Sequence, residues 1–267
     1  MKIFLNISDL AVITGHNKFK NINEYIIQLW DKYFHDDCQE YLAKKNIKVK
    51  KNDYEAVMKA STDNKIDIQE EIRKLDKVKD SNELESNKKR LFEKMDKIED
   101  PEIRKEIKKN IESLTNTRYG ISGEKDILQF CSETMGRKIV KDDIYRKKKI
   151  YTGKMEWYIG GKIDGKDSGD GAVIEIKNRV HKLFLELRDY ENIQIMSYLY
   201  LHGANQGYLI EAMKNESGKN INIIDVSYDE KFFNEIILQS VIHFIRFFEN
   251  LIENNEAKIN FINAFKN

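Results

Sequence analysis

The second half of the chain keeps changing its hydrophobic period, and the order of those changes limits the folds open to it. "EKDILQFCSETMGRK" places Ile127, Leu128, Cys131 and Met135 on one helical face, with Gly136 in position to cap its end. "IVKDDIYRKKKIY", "MEWYIGGKID" and "AVIEIKN" have the composition of successive strands, the last two joined by the turn-rich "GKDSGDG". Helical spacing returns in "LRDYENIQIMSYLYLHG", strands in "QGYLIEAM" and "NINIIDVSY", and "DEKFFNEIILQSVIHFIRFFENLIEN" reads as a long last helix. In that helix Phe232, Phe233, Ile236, Ile237, Val241, Phe244, Ile245 and Phe248 are the predicted core. Helix, three strands, helix, strands, helix is the order of an α/β core in which helices cover the faces of a sheet.

The first part of the chain is of another kind. Residues 8 to 44 read as helical, with Ser8 a candidate N-cap, apolar residues through Tyr25, Ile26, Leu29, Trp30 and Phe34, and a break at "TGHNKFKN". From about 48 to 118, narrow apolar stripes cross a charged background: Ile68, Ile72 and Leu75, then Leu91, Met95 and Ile98, then Ile103, Ile107, Ile111 and Leu114. Such stripes suit long helices packed on each other, and Asp100 before Pro101 is a helix start. With 267 residues and 40% hydrophobic content, the expectation is one domain over 1–267 that carries a long charged helical insertion at 48–118.

The formal net charge of +1 conceals 34% charged residues of both signs, so contact with a polyanion has to come from local patches. Cys38 and Cys131 stand far apart and form no C-x-x-C pair, which argues against a disulfide framework, a zinc knuckle and a four-cysteine iron–sulfur cluster, and predicts a reducing, cytoplasmic location. The apolar runs fall short of membrane-spanning length, so a soluble chain with no membrane partner is expected.

Chemistry concentrates in "GGKIDGKDSGDGAVIEIKNR", residues 160–179. Alternation along a strand puts Glu175 and Lys177 on one face and Ile176 on the other. If "GKDSGDG" pairs the two strands, Asp164 comes beside Glu175. Two carboxylates and a backbone carbonyl make an all-oxygen site suited to Mg²⁺ or Mn²⁺, and a neighbouring lysine can serve an attacking water. Asp followed by E-x-K is a weak signal alone, since a charged strand often carries it as a solvent-facing pair. Gly160, Gly161 and Gly165 bracket Asp164, and glycines beside strands mark close approach of another group. Gln194 and Tyr198 share a face of the next helix, and Glu124 opens the helix upstream, where a first-turn glutamate also suits the helix dipole.

Together, Glu124, Asp164, Glu175-Ile176-Lys177 and Gln194-x-x-x-Tyr198 resemble the PD-(D/E)xK nuclease superfamily. "NISDLAVITGHNKFKNINEYI" and "YENIQIMSYLYLHGANQGYLIE" narrow the resemblance to recombination exonucleases of the YqaJ and lambda exonuclease type, over about 1–44 and 119–250. The resemblance implies a restriction-endonuclease-like core, a central mixed β-sheet flanked by helices. It implies that Asp164, Glu175 and the Ile176 carbonyl hold Mg²⁺ (or Mn²⁺), with Glu124 assisting, Lys177 serving the attacking water, and Gln194 and Tyr198 supporting the site. Ser8 matches a phosphate-binding serine of that family; no arginine precedes it, so Lys18 or His16 would take the basic role. The implied activity is degradation of linear double-stranded DNA from the 5′ end, with a single-strand annealing protein as partner and a ring trimer as assembly.

"YRKKKIYTGKMEWY" adds Arg146, Lys147, Lys148, Lys149 and Lys154 among Tyr145, Tyr151, Trp157 and Tyr158, a composition that can neutralise phosphates and stack on bases, or simply protect an edge strand. Arg146, Lys148 and Tyr151 are the predicted DNA contacts here. The expected function is therefore a metal-dependent deoxyribonuclease, first an exonuclease on linear duplex DNA in recombination or repair. An endonuclease of restriction or resolvase type and a non-catalytic DNA-binding or assembly protein are the alternatives.

Overall fold

The structure, a computed structural model, describes all residues except 46, 48–51, 79, 216–217 and 266–267. The start expected for the insertion, 48–51, lies outside the described residues. Along the chain come β1 (Lys2–Asn6), a 3-10 turn (Ile7–Asp9), α1 (Leu10–Ile13), α2 (Ile22–Tyr33), α3 (His35–Lys44), α4 (Asp53–Asp63), α5 (Gln69–Leu75), α6 (Ser81–Met95) and α7 (Pro101–Ser122). Then follow α8 (Glu124–Met135), β2 (Ile139–Lys141), β3 (Arg146–Thr152), β4 (Glu156–Gly161), β5 (Gly165–Asp167), β6 (Val173–Asn178), α9 (Asp189–His202), β7 (Gln206–Asn215) and β8 (Gly218–Ser227). Last are α10 (Glu230–Phe232), a π-helical turn (Phe233–Leu238), α11 (Gln239–Glu253) and α12 (Asn255–Phe265).

The architecture is α/β, with two mixed sheets flanked by helices, consistent with a restriction-endonuclease-like core. One sheet has the order β1-β4-β3, with β1 parallel and β3 antiparallel to β4. The other has the order β2-β5-β6-β7-β8, in which only β6 and β7 run parallel. That parallel pair needs a crossover, which α9 supplies.

Among the described residues, three hydrophobic clusters follow from this layering. The largest joins Ile3, Leu5, Trp157 and Ile159 of the first sheet to Ile193 and Leu199 of α9, and to Phe233, Ile245 and Phe248 of the C-terminal helices. A second packs Ile127, Leu128 and Cys131 of α8 on Ile174, Ile176 and Ile210 of the other sheet. The third, with Val57, Ile68, Leu75, Leu91, Met95 and Ile111, belongs to α4–α7, so the charged helices bury an apolar seam of their own. Asp100 caps α7 as its sequence requires, accepting from the N–H groups of Glu102 and Ile103 at 2.9 and 3.1 Å.

Several expectations change. "KIFLN" is a strand, β1, whose burial alternates and which pairs with β4; its alternation is too short to stand out beside the helix that follows. Ser8 sits inside a 3-10 turn rather than capping a helix, and Asn21 caps α2 by accepting from Asn23 N–H at 2.7 Å. "IVKDDIYRKKKIY" is two strands in different sheets, split where Asp142 accepts from Ile144 N–H in a turn. "GKDSGDG" does not join β4 to β6, since its first residues form β5. In the last helix Phe232 is only half-buried and Ile236 is exposed, because the π-helical turn shifts the face presented to the core.

Glu249 ties α11 to the first sheet: its Oε1 accepts from Met155 N–H at 3.0 Å and Trp157 Nε1–H at 2.9 Å, all within the core. Removing it leaves two buried donors unsatisfied. Glu249→Ala is expected to cost about 2–4 kcal/mol of stability, read by denaturant unfolding, with Glu249→Gln recovering part of the loss.

Candidate active site

Strand β6 is buried for four residues running, which suits a strand covered on both faces. Ile174 and Ile176 face α8, while Val173, Glu175 and Lys177 face α9. β5 pairs antiparallel with β6, Gly165 opposite Ile174, so Asp164 falls beside Glu175. The expected pairing of these two residues is therefore present, with β5 in the role assigned to β4. Asp164 Oδ2 accepts from Ile176 N–H at 2.7 Å, a side chain extending the ladder just before β5 begins. Two glycines permit the closeness: a Cβ on Gly161 would stand 2.9 Å from the Tyr198 ring, and one on Gly165 would stand 2.7 Å from Leu128 of α8.

Glu175 is 4% exposed and carries a closed hydrogen-bonded triangle. Its Oε1 accepts from Lys177 Nζ and from Gln194 Nε2, both at 2.8 Å, and Gln194 Oε1 accepts from Lys177 Nζ at 2.8 Å. Burial works against the Lys177 ammonium, but Glu175 beside it outweighs burial, with Asp164 and Glu191 behind, and holds its pKa above the ordinary lysine value. Lys177 is thus a charged donor at neutral pH. Tyr198, one turn beyond Gln194, keeps its proton: burial raises it first, and the Glu175 charge adds to that.

Asp164 lies in the opposite condition. Burial, then the Glu175 charge, push its carboxyl up to about 8, against the opposing hydrogen bond from Ile176 N–H. Glu124, in the first turn of α8, faces the same place; burial raises its pKa, Lys141 opposes, and Glu175 adds to the rise. Three carboxylates thus converge on a region where Lys177 is the cation in contact. Among the described residues no three His, Cys, Asp or Glu side chains form a ready-made ion-holding group.

The other predicted contacts divide. Ser8 is exposed in the 3-10 turn, and His16 and exposed Lys18 lie in the loop after α1, which reaches α9 where Phe19 meets Tyr190 edge-on at 5.9 Å. Among the described residues His16 Nδ1 is buried without a hydrogen-bond partner. In β3, Arg146 and Lys148 pair with Gly161 and Ile159, on the inner side of the sheet. Arg146 is held by Asp142 at 2.8 Å, Lys148 stands over the Tyr200 ring at 3.7 Å, and Tyr151 packs on the main core. Lys147 and Lys149 take the outer side.

A further set was not singled out from the sequence. Arg179, just past β6, donates to Glu191 at 2.6 Å and to Glu211 at 2.9 Å, both fully buried. Glu211 also accepts from the N–H groups of Phe184 and Leu185 and from Asn222. This network fixes the segment between β6 and α9, and so the direction from which α9 carries Gln194 to Glu175. A lone acid inside the apolar run "YLIEAM" was the available signal.

No protein-family model and no curated protein matches this chain. Solved structures give weak likenesses. One is the crystal structure of SSO0001, at 17% identity and TM-score 0.40, over 58% of this chain and 70% of that one. Another is a phage-related exonuclease from Haemophilus somnus 129PT, at 14% identity and TM-score 0.40, over 51% and 72%.

The Asp164 shift predicts a pH dependence of stability. Its carboxyl titrates near 3.8 in the unfolded chain and near 8 in the fold, so the native state holds the extra proton between these values. The stability this group contributes is fully present below about pH 3.8 and lost as pH rises through about 8. Asp164→Asn is therefore expected to melt above wild type in EDTA at about pH 9, with the gap narrowing towards about pH 4. Equal melting temperatures across that range would refute the crowding of charge at Asp164.

Proposed function

We propose that the protein is a metal-dependent deoxyribonuclease hydrolysing phosphodiester bonds, with linear double-stranded DNA as substrate and degradation from the 5′ end. The observation that carries this reading is the juxtaposition of Asp164, Glu175, Lys177 and Gln194 on β5, β6 and α9, with Glu124 facing them. An ion pair kept only for stability would be balanced; among the described residues three carboxyl groups, Asp164, Glu175 and Glu124, outnumber the two cations that act on them, Lys177 and Lys141.

That excess of hard, anionic oxygen suits Mg²⁺ or Mn²⁺, which Asp164, Glu175 and the Ile176 carbonyl would hold with Glu124 assisting. When bound, such an ion supplies Lewis-acid stabilisation of charge on a phosphate and lowers the pKa of water. The protein's own part can be read from the hydrogen bonds. Lys177 Nζ has three N–H groups and spends two, on Glu175 and Gln194. The third remains for an attacking water or a phosphate oxygen. Since its pKa is raised, Lys177 acts as a donor that orients water and offsets developing charge, not as the base. Gln194 fixes the direction of that donor, and the Tyr198 ring, fitted against Gly161, fixes the helix that bears Gln194.

The test is cleavage of end-labelled linear duplex and of covalently closed circular DNA, with Mg²⁺ and with EDTA. Linear DNA should be degraded only with the metal, and the closed circle should survive. Glu175→Gln and Lys177→Ala should each lower the rate by about 10²-fold or more while leaving the fold intact by circular dichroism. Turnover that survives either change would remove this active site. Closed circles cut as fast as linear DNA would replace the exonuclease reading with an endonuclease.

A further inference from the structure

The outer face of the β1-β4-β3 sheet carries a second arrangement. Alternation puts Lys2, Phe4 and Asn6 of β1, Glu156, Tyr158 and Gly160 of β4, and Lys147 and Lys149 of β3 on this side. The inner side of the same strands, with Ile3, Leu5, Trp157 and Ile159, is buried, whereas Lys2, Lys147 and Lys149 are exposed and Phe4 and Tyr158 half-buried. Phe4 stacks on Tyr158 with ring centroids 5.2 Å apart, and Lys147 Nζ stands over both rings at 5.1 and 5.9 Å. At the β1 edge, the Tyr33 hydroxyl accepts from Phe4 N–H at 2.9 Å, and Lys32 stands 5.2 Å from the Tyr33 ring. Glu156 is the acid of the face, and it is engaged by the Tyr158 hydroxyl at 2.8 Å and by Lys149 at 3.5 Å.

Four lysines about stacked rings, with one engaged acid, match a ligand that alternates negative charge with flat apolar groups. A single-stranded nucleic acid has that form; a duplex hides the faces of its bases and offers charge alone. The face also leads to the candidate active site. The exposed Tyr145 ring lies over Gly160, where a Cβ would stand 2.5 Å from its hydroxyl oxygen, and one residue on, Gly161 meets Tyr198 from the other side. Three residues later comes Asp164.

We propose that this outer face binds single-stranded DNA, in a track that passes Tyr145 to reach the Asp164–Glu175 site; the link to cleavage rests on the nuclease reading, the binding does not. The experiment is fluorescence anisotropy of a labelled oligo-dT of about 20 nucleotides, in EDTA, over a range of salt. Two double variants are compared with wild type, Lys147→Ala with Lys149→Ala, and Phe4→Leu with Tyr158→Leu. Each should weaken binding about tenfold or more, and the lysine pair should also flatten the log–log salt slope by roughly 0.7 for each phosphate left without its lysine.

Photocrosslinking of a 5-bromouracil oligonucleotide to the wild-type protein reads the same surface without substitution, and should label peptides of β1 and β4. Unchanged affinity in both variants, weakening confined to the lysine pair, or crosslinks elsewhere would overturn the proposal. If wild type cleaves nothing and the face variants still fail to hold oligo-dT, the nuclease reading fails and the binding face stands.

Discussion

A carboxylate taken out of water needs donors, and the way Glu175 obtains them shapes the centre of the molecule. Its donors come from its own strand, through Lys177, and from a helix, through Gln194. A bond between them closes the triangle, so none of the three can move without breaking two hydrogen bonds. That closure sets where α9 lies along β6. The same helix makes the crossover to β7, so the register of the parallel pair and the position of the polar site are one constraint.

Around this triangle the charges form a second, buried layer. Arg179 joins Glu191 at the start of α9 to Glu211 on β7, and the guanidinium carbons of Arg179 and Arg188 stand 4.3 and 4.4 Å from the centroid of the Phe184 ring. The connection from β6 into α9 is thereby tied to the sheet instead of being left to solvent. On the other face, Asn178, next to Lys177, donates to the Tyr119 carbonyl near the end of α7 at 2.9 Å. The charged helices of α4–α7 thus reach the back of the site through a hydrogen bond from β6.

Helices α2, α6, α7 and α8 were legible because each repeats an apolar stripe for several turns, and Asp100-Pro101 or Gly136 marked an end chemically. The motif residues were legible for a different reason: Asp164, Glu175, Lys177, Gln194 and Tyr198 gain meaning as a set with fixed spacing. What escaped was pairing. Nothing local distinguishes a "GKDSGDG" that closes a hairpin from one whose first three residues pair across to two neighbours, since strand partners are fixed by distant sequence. The place of Tyr151 escaped for a related cause: the register shifts between Lys149 and Tyr151, so alternation counted from the lysines loses the side of the sheet on which Tyr151 stands.

Two buried acids show what sets the candidate site apart. Glu211 is fully buried, and burial alone would raise its pKa, yet the N–H groups of Phe184 and Leu185, with Asn222 and Arg179, overcome that and hold it below the ordinary value. At Asp164 burial, then the charge of Glu175, outweigh the N–H it accepts from Ile176, Glu124 adds to the rise, and its pKa goes up. The chain can satisfy a buried carboxylate where the demand is structural, and it does so at Glu211 with two backbone N–H groups, an amide and a guanidinium. At Asp164 the donors are withheld and like charges are added, which costs the fold stability. The cation proposed for this site would relieve that local conflict, and the contrast between two carboxylates in one sheet layer is the physical ground of the proposal.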